Sequence, residues 1–201
     1  MNVQYEPDMQ AHATDVVVLV LAGGQGCRFR AAGGQGHKLD AVVAGRTLLE
    51  TTLAQVAASG LPWRLVCPAH DSPSMGDTIV RGVQVTAEAA GWLILPGDMP
   101  LVQPGSLRTV ARALQAKVAP VVVPSYLGQR GHPVGFAAAY RQALLCLHGA
   151  GGARSVAARA EAQGQMVVLP LQDAGVVFDV DTPEDLALAE VRLRTVGAQH
   201  Q

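Results

Sequence analysis

Aromatic side chains make up only 4% of this 201-residue sequence, which leaves few rings on which nucleic-acid bases could stack. Charge is sparse and balanced as well. Charged residues total 15%, and 15 Lys and Arg oppose 16 Asp and Glu for a net charge of −1. That balance argues against a nucleic-acid partner and against a polybasic membrane patch. No Cys-x-x-Cys or Cys/His cluster occurs, and the three cysteines, Cys27, Cys67 and Cys146, are dispersed. Neither a zinc site nor a disulfide framework is expected, and a reducing cytoplasm is the expected setting. The longest apolar run, Val16 to Ala22, is far too short to span a bilayer. The polar, acidic start lacks the basic and apolar regions of a signal peptide. Lysine is nearly missing, with only Lys38 and Lys117. Glycine is plentiful, and positions 23, 24, 26, 33, 34 and 36 crowd one stretch that ends just before Lys38.

With 49% hydrophobic residues, the chain can bury a sizeable core, and its length suits one domain. A disordered tail is expected over 1–14, a single domain over 15–196, and a second tail over 197–201. Val16 to Leu21 is an unbroken β-branched and Leu run, the pattern of a strand buried on both faces. Thr47 predicts a helix through Ser59, stopped by Gly60. Ser74, with Asp77 three residues later, predicts a capped helix to about Ala90. Pro104 suits the first turn of a helix through Ala116. Helices are expected over 136–147 and 153–163. Thr182-Pro183-Glu184-Asp185 carries cap, proline and acidic first turn of a last helix to about Arg194. Further strands are expected at 63–67, 92–95, 118–123, 166–169 and 176–180. Strands alternating with helices in this way predict an α/β fold, a three-layer α/β/α Rossmann-like arrangement with a mostly parallel central sheet. Ligands of such sheets bind at the carboxyl ends of the strands.

The segments after strands therefore carry the chemistry. LAGGQGCRFR, residues 21–30, opens directly after the first strand. Its glycines let backbone N–H groups turn toward an anion, Arg28 and Arg30 can pair with phosphate, and Lys38 adds a compact charge. A plain connecting loop is the competing reading. A dinucleotide fingerprint also competes, but its third glycine position is Phe29, and the acidic candidates Asp40 and Glu50 fit it poorly. In LPGDMPLV, Asp98 follows a buried strand inside a rigid turn. Such a carboxylate suits Mg²⁺, which takes one or two carboxylates plus phosphate oxygens. In FDVDTPEDL, Asp179 and Asp181 alternate along an expected strand and should face opposite sides. Asp181, nearer the carboxyl end, is the preferred partner of Asp98; assisting the Thr182 cap is its alternative role. His132, before Pro133 in an extended backbone, is either a structural residue or a donor to substrate. Arg154, opening a helix, is either an anion site or a solvated side chain. Ser74 reads as a helix cap, and a place near the nucleotide base is compatible with that.

Taken together, LAGGQGCRF…K, LPGDMPLV, RGHPVGF and FDVDTPEDL resemble the MobA-like nucleotidyltransferases from about residue 16 to 192, and most of all the molybdenum cofactor cytidylyltransferases. The resemblance implies a nucleotide-diphospho-sugar-transferase type of fold. It implies transfer of a nucleoside monophosphate, CMP ahead of GMP, from CTP or GTP to the phosphate of a molybdopterin-type acceptor, with pyrophosphate leaving. Mg²⁺, with Mn²⁺ as a substitute, would be the cofactor. A molybdoenzyme or its chaperone would be a further partner. Arg28, Lys38 and Asp98 would be catalytic. Leu21, Ala22, Gly23, Gly24, Gly26, Arg28, Lys38, Ser74, Gly76 and Asp98 would bind nucleotide. Asp98 and Asp181 would hold the metal, and His132, Pro133 and Arg154 the acceptor. Two departures stand out. The loop between Arg28 and Lys38 is roughly five residues longer than the family pattern. LAGG is also the guanylyl form, whereas the later motifs are cytidylyl in character. An NAD(P)-linked oxidoreductase of the same family and a non-catalytic nucleotide-binding module are the alternatives.

Overall fold

The computed structural model describes residues 15–23, 26–68, 74–149 and 151–198. In chain order the elements are β1 (Val16–Leu21), α1 (Cys27–Ala31), β2 (Val42–Val43), β3 (Arg46–Thr47), α2 (Leu48–Ala58), β4 (Trp63–Val66), α3 (Met75–Val85), β5 (Gly91–Pro96), α4 (Pro104–Gln115), β6 (Val121–Tyr126), β7 (Gln129–Arg130), β8 (Val134–Ala137), α5 (Arg141–Leu145), α6 (Arg154–Ala162), β9 (Met166–Pro170) and α7 (Pro183–Ala198). Helix α7 continues to Ala198, past the start of the tail expected over 197–201. Residues 199–201 and the tail expected over 1–14 lie outside the described residues.

Every residue of β1 is buried, and its period-two alternation splits the core in two. Val17, Leu19 and Leu21 join α3, α5 and α6 through Ile79, Val83, Leu144, Val156 and Ala160. Val16, Val18 and Val20 join α2 and α4 through Leu53, Val56, Leu107 and Val110. The sheet is thus the middle of three layers. Its order is β4-β1-β5-β8-β6-β7, with β9 on the other side of β6. Strands β1, β4, β5, β6 and β9 run the same way. Only β7 and β8 oppose them.

Two expectations fail here. The helix expected from residue 136 starts later, because β8 ends at Ala137. Phe136 pairs with Trp92 and with Val121 in the sheet, so pairing on both edges overrides the helical preference of the alanines around it. The strand expected at 176–180 is instead a 3-10 turn, Ala174–Val177, followed by extended backbone. Its anchor is Asp173, only 3% exposed. The Asp173 carboxylate accepts hydrogen bonds from Gln103 N (2.9 Å), Ser106 Oγ (2.6 Å) and Gly175 N (2.8 Å), and so ties this turn to the start of α4. Gly175 sits so close to the Leu101 carbonyl that a Cβ there would lie 2.0 Å from its oxygen. This knot sets the path of the chain toward residues 179–181.

The described residues contain no helix long and apolar enough to cross a membrane. Removing the knot has a measurable cost. Asp173→Ala leaves buried donors unpaired and is expected to lower the unfolding free energy by about 2–4 kcal/mol, measured by urea denaturation. A loss below about 0.5 kcal/mol, the range of ordinary surface changes, would contradict the assignment.

Candidate active site

The carboxyl ends of β1 and β5 lie side by side, with Leu21 paired to Pro96. Gly97 N donates to the Leu21 carbonyl (3.0 Å), and Val180 N donates to the Asp98 carbonyl (3.0 Å). Backbone bonds therefore join the glycine loop, the Asp98 turn and the segment leading into α7. At the head of α7, Thr182 Oγ1 accepts from Asp185 N (3.1 Å), while Asp185 accepts from Thr182 N (2.9 Å) and Asp181 N (3.1 Å). Thr182 and Asp185 complete the cap between them, so the Asp181 carboxylate is free for another role.

That role is an ion cluster. Lys38 Nζ lies 2.6 Å from Asp98 Oδ2 and 3.0 Å from Asp181 Oδ1. Arg28 Nη1 lies 2.6 Å from Asp181 Oδ2. The two cations differ in weight. The Lys38 side chain is 12% exposed and that of Arg28 is 81% exposed, so the Arg28 pair is screened by water and contributes little to stability. Burial alone would lower the Lys38 pKa, but the charge and hydrogen bond of Asp98, with those of Asp181, raise it. Burial alone would raise Asp181, and the hydrogen bonds from Arg28 and Lys38 outweigh it and hold this carboxyl below its ordinary range.

Local packing explains the loop. The expected open glycine stretch contains α1, anchored by Phe29, which is 3% exposed. Gly34 packs on the Phe29 ring, where a Cβ would lie 2.3 Å from ring carbons. Gly26, at φ 58°, starts α1 against Lys38; a Cβ there would approach the Lys38 Cβ to 3.2 Å. Lys38 begins a 3-10 turn held by the buried Leu39 and by His37 Nδ1, which accepts from Leu39 N (3.3 Å).

The cluster opens into a cleft of about 600 Å³ lined in part by Gly23, Gly26, Arg28, Lys38, Asp98 and Asp179. It adjoins a second cavity of about 610 Å³ with mainly apolar walls, among them Leu21, Ile79, Ile94 and Met166. Met75, Pro96, Arg130, Gly131, His132 and Arg154 wall both. His132 reaches this wall because the chain leaves the sheet between β7 and β8. There Gly131 N donates to the Pro124 carbonyl (2.9 Å) and His132 N to the Val176 carbonyl (2.7 Å). A Cβ on Gly131 would lie 1.9 Å from that Val176 oxygen, so only glycine fits. Burial pushes the His132 imidazole below its ordinary pKa, outweighing a bond with the Ile94 backbone and the charges of Asp98 and Asp179, and the charge of Arg154 adds to the fall. A neutral ring results. Its Nδ1 is buried without a hydrogen-bond partner.

Arg28, Lys38, Asp98, Asp181, His132, Arg154, Leu21, Gly23 and Gly26 are thus brought to one joined cleft. Ala22 continues the β1 backbone, with its N–H donating to Val66 O (3.0 Å), and Pro133 follows His132 without lining either cavity. Ser74 caps α3 by accepting from Asp77 N (3.1 Å). Gly76 packs on the Gly149 carbonyl, with N–H to oxygen at 3.0 Å. Met75, between them, is the residue that faces the cleft. Gly24 lies outside the described residues. Sequence reasoning missed Met75, Arg130, Glu161 and Asp179. Arg130 and Glu161 form an ion pair on the wall of the apolar cavity. A strand would set Asp179 on the face opposite Asp181. The non-strand path brings both into the same cleft.

The oxygens of Asp98 and Asp181 suit a hard divalent cation, and Asp98 Oδ1 is buried without a partner. Among the described residues no group of three or more His, Cys, Asp or Glu is arranged to enclose a metal. Two carboxylates from the chain would leave the other positions of such a cation to water or phosphate oxygens.

Asp179 supplies a pH test. Burial raises its pKa, and the nearby Asp181 and Asp98 charges add to the rise. A carboxyl with a raised folded-state pKa destabilises the fold above that pKa, and the penalty fades as pH falls below the unfolded value. Asp179→Asn is expected to raise the melting temperature at pH 7 and to leave it nearly unchanged at about pH 3, below the unfolded carboxylate range. An equal shift at both pH values would contradict this.

A family model described as MobA-like NTP transferase domain matches residues 18–165. No curated protein matches the chain by sequence. Among solved structures, a nucleotidyl transferase from Methanothermobacter thermautotroptrophicus superposes with a TM-score of 0.73 at 20% identity, over 90% of this chain and 99% of that one. Rv0371c from Mycobacterium tuberculosis H37Rv gives 0.66 at 23% identity, over 91% and 100%. A manganese complex of Rv0371c gives 0.62 at 21%, over 90% and 100%. Molybdopterin-guanine dinucleotide biosynthesis protein A from Archaeoglobus fulgidus gives 0.59 at 18%, over 90% and 100%. At these identities the likeness is one of fold.

Proposed function

The chain belongs to the MobA-like NTP transferase family, and within it we propose that this nucleotidyltransferase moves CMP, or less readily GMP, from its triphosphate to the phosphate of a molybdopterin-type acceptor. The observation that carries the reading is the cluster of Lys38, Arg28, Asp98 and Asp181 at the carboxyl edge of β1 and β5. The A. fulgidus neighbour, by its name, serves molybdopterin-guanine dinucleotide synthesis, and this supports the acceptor class. The manganese complex of the mycobacterial neighbour supports a divalent cation, Mg²⁺ in the cell, held by Asp98 and Asp181. A cytoplasmic setting, where nucleoside triphosphates are abundant, goes with the proposal, as does delivery of the product to a molybdoenzyme or its chaperone.

The chemistry is a charge problem. An anionic acceptor must approach an anionic α-phosphate, and pyrophosphate must leave with added charge. Lys38 and Arg28 hold and neutralise the β- and γ-phosphates beside the loop after β1. A divalent cation held by Asp98 and Asp181 would supply Lewis-acid neutralisation of phosphate charge. The acceptor phosphate is already ionised near neutral pH, so the site needs no general base. His132 and Arg154 stand between the two cavities and orient the acceptor. Arg154 supplies positive charge, and the neutral His132 ring offers Nδ1 as a hydrogen-bonding atom. The gain is positioning: two anions held in line.

The test is pyrophosphate release from CTP and GTP with a molybdopterin acceptor. Asp98→Asn is expected to lose at least about a hundredfold in kcat/KM. Arg154→Ala is expected to raise KM for the acceptor while leaving KM for the nucleotide unchanged. Full activity in Asp98→Asn would overturn the reading.

A further inference from the structure

Lys38 sits where two carboxylates converge, and a site that is to take a divalent cation on those carboxylates must first deal with it. The ammonium touches one oxygen of each aspartate, Asp98 Oδ2 at 2.6 Å and Asp181 Oδ1 at 3.0 Å. The two aspartates come from separate elements, the turn after β5 and the approach to α7. Their remaining oxygens differ. Asp181 Oδ2 takes the exposed Arg28, and Asp98 Oδ1 is buried without any partner. One ammonium thus draws together two carboxylates, yet leaves a buried oxygen of Asp98 unmatched.

We propose that Lys38 is an exchangeable internal cation: it holds Asp98 and Asp181 together until a divalent cation carried by a nucleoside triphosphate takes its seat, and it then moves onto the phosphate oxygens. The inference rests on the proposed function and adds an order of binding to it.

The local structure allows the move. The Lys38 backbone is fixed by the buried Leu39 and the His37 bond, while the ammonium rides on a flexible four-carbon stem. Gly26 lies against the Lys38 Cβ, and Gly23 lines the same cleft, so no side chain at either position blocks the path toward the loop. The residue type matters as well. An arginine would grip a carboxylate with two parallel hydrogen bonds, whereas an ammonium is a point charge that another cation can replace. A free metal ion must evict Lys38 into water and leave it without a partner. A metal ion arriving with a triphosphate gives Lys38 a new anionic partner at the same moment. Metal and nucleotide then bind with positive coupling, each raising the affinity of the other by the same factor. The device discourages occupancy by metal alone.

The experiment measures Mn²⁺ binding by the electron-paramagnetic-resonance signal of free Mn²⁺, with and without CTP and GTP. Wild type, Lys38→Met and Lys38→Arg are compared, with thermal unfolding to verify folding. Lys38→Met is expected to bind Mn²⁺ alone roughly tenfold more tightly than wild type or better, and to lose most of the enhancement by nucleotide. Lys38→Arg is expected to bind Mn²⁺ alone no more tightly than wild type. Unchanged Mn²⁺ affinity in folded Lys38→Met, with the nucleotide enhancement intact, overturns the exchange and spares the nucleotidyltransferase reading. Absence of Mn²⁺ binding in all three proteins even with nucleotide overturns both. A second readout uses wild type alone. With lysine labelled at ¹⁵Nζ, the chain has only two lysine signals. The Lys38 signal is expected to shift with Mg²⁺ and nucleotide together, and an unmoved signal on saturation overturns the exchange.

Discussion

The contact between the Lys38 ammonium and the carboxylates of Asp98 and Asp181 is the interaction on which the site depends. It joins three segments that are remote in sequence: the turn after the glycine loop, the turn after β5 and the entry to α7. The turn after β5 is also tied through its backbone, to the end of β1 by Gly97 N to Leu21 O and to the entry of α7 by Val180 N to Asp98 O. The scaffold therefore brings the acids close, and the lysine makes that closeness tolerable. Two carboxylates held a few ångströms apart repel strongly in a partly desolvated cleft. A cation between them is a condition for the arrangement, whether it comes from the chain or from outside.

The fold serves this arrangement at several levels. The alternating burial of β1 builds one core on each face of the sheet, and a rigid middle layer fixes the edge where the strands end. Strand β8 runs against its neighbours β5 and β6, so the segment that precedes it, rather than one that follows it, arrives at the carboxyl edge. That reversal brings Gly131 and His132 to the cleft from the other side. The result is a polar, charged cleft adjoining an apolar cavity, with His132 and Arg154 in the shared wall. A ligand with a charged phosphate end and a less polar body matches that division.

Much of this was legible in the residues. The apolar runs gave the strands of β1, β4, β5 and β9, and Thr47, Ser74 and Thr182 marked the starts of α2, α3 and α7. These features are local, and local chemistry decides them. A lone Asp in a turn is most often a cap or turn former, but Asp98 follows a buried strand in a rigid turn between Pro96-Gly97 and Met99-Pro100 with few other polar groups. What escaped detection was non-local. Phe136 and its alanine neighbours look helical, and only pairing with two distant strands makes β8. A strand would turn Asp179 away from Asp181, and the Asp173 knot replaces that strand with a turn. The placement of Lys38 between two aspartates depends on three separate chain segments meeting, and no spacing in the sequence expresses it. The long glycine stretch is clearer in hindsight: Gly34 accommodates the Phe29 ring, and Gly26 starts α1 beside Lys38.

The most direct measurement of the central claim is the melting temperature of the protein with CTP, GTP, ATP, UTP and NAD(P)H, each with and without Mg²⁺. A ligand that binds only the folded state raises the melting temperature, the more so the further its concentration exceeds its Kd. The account predicts a rise with CTP or GTP that is much larger with Mg²⁺ than without, and none with NAD(P)H. A rise with NAD(P)H and no response to any triphosphate would contradict it.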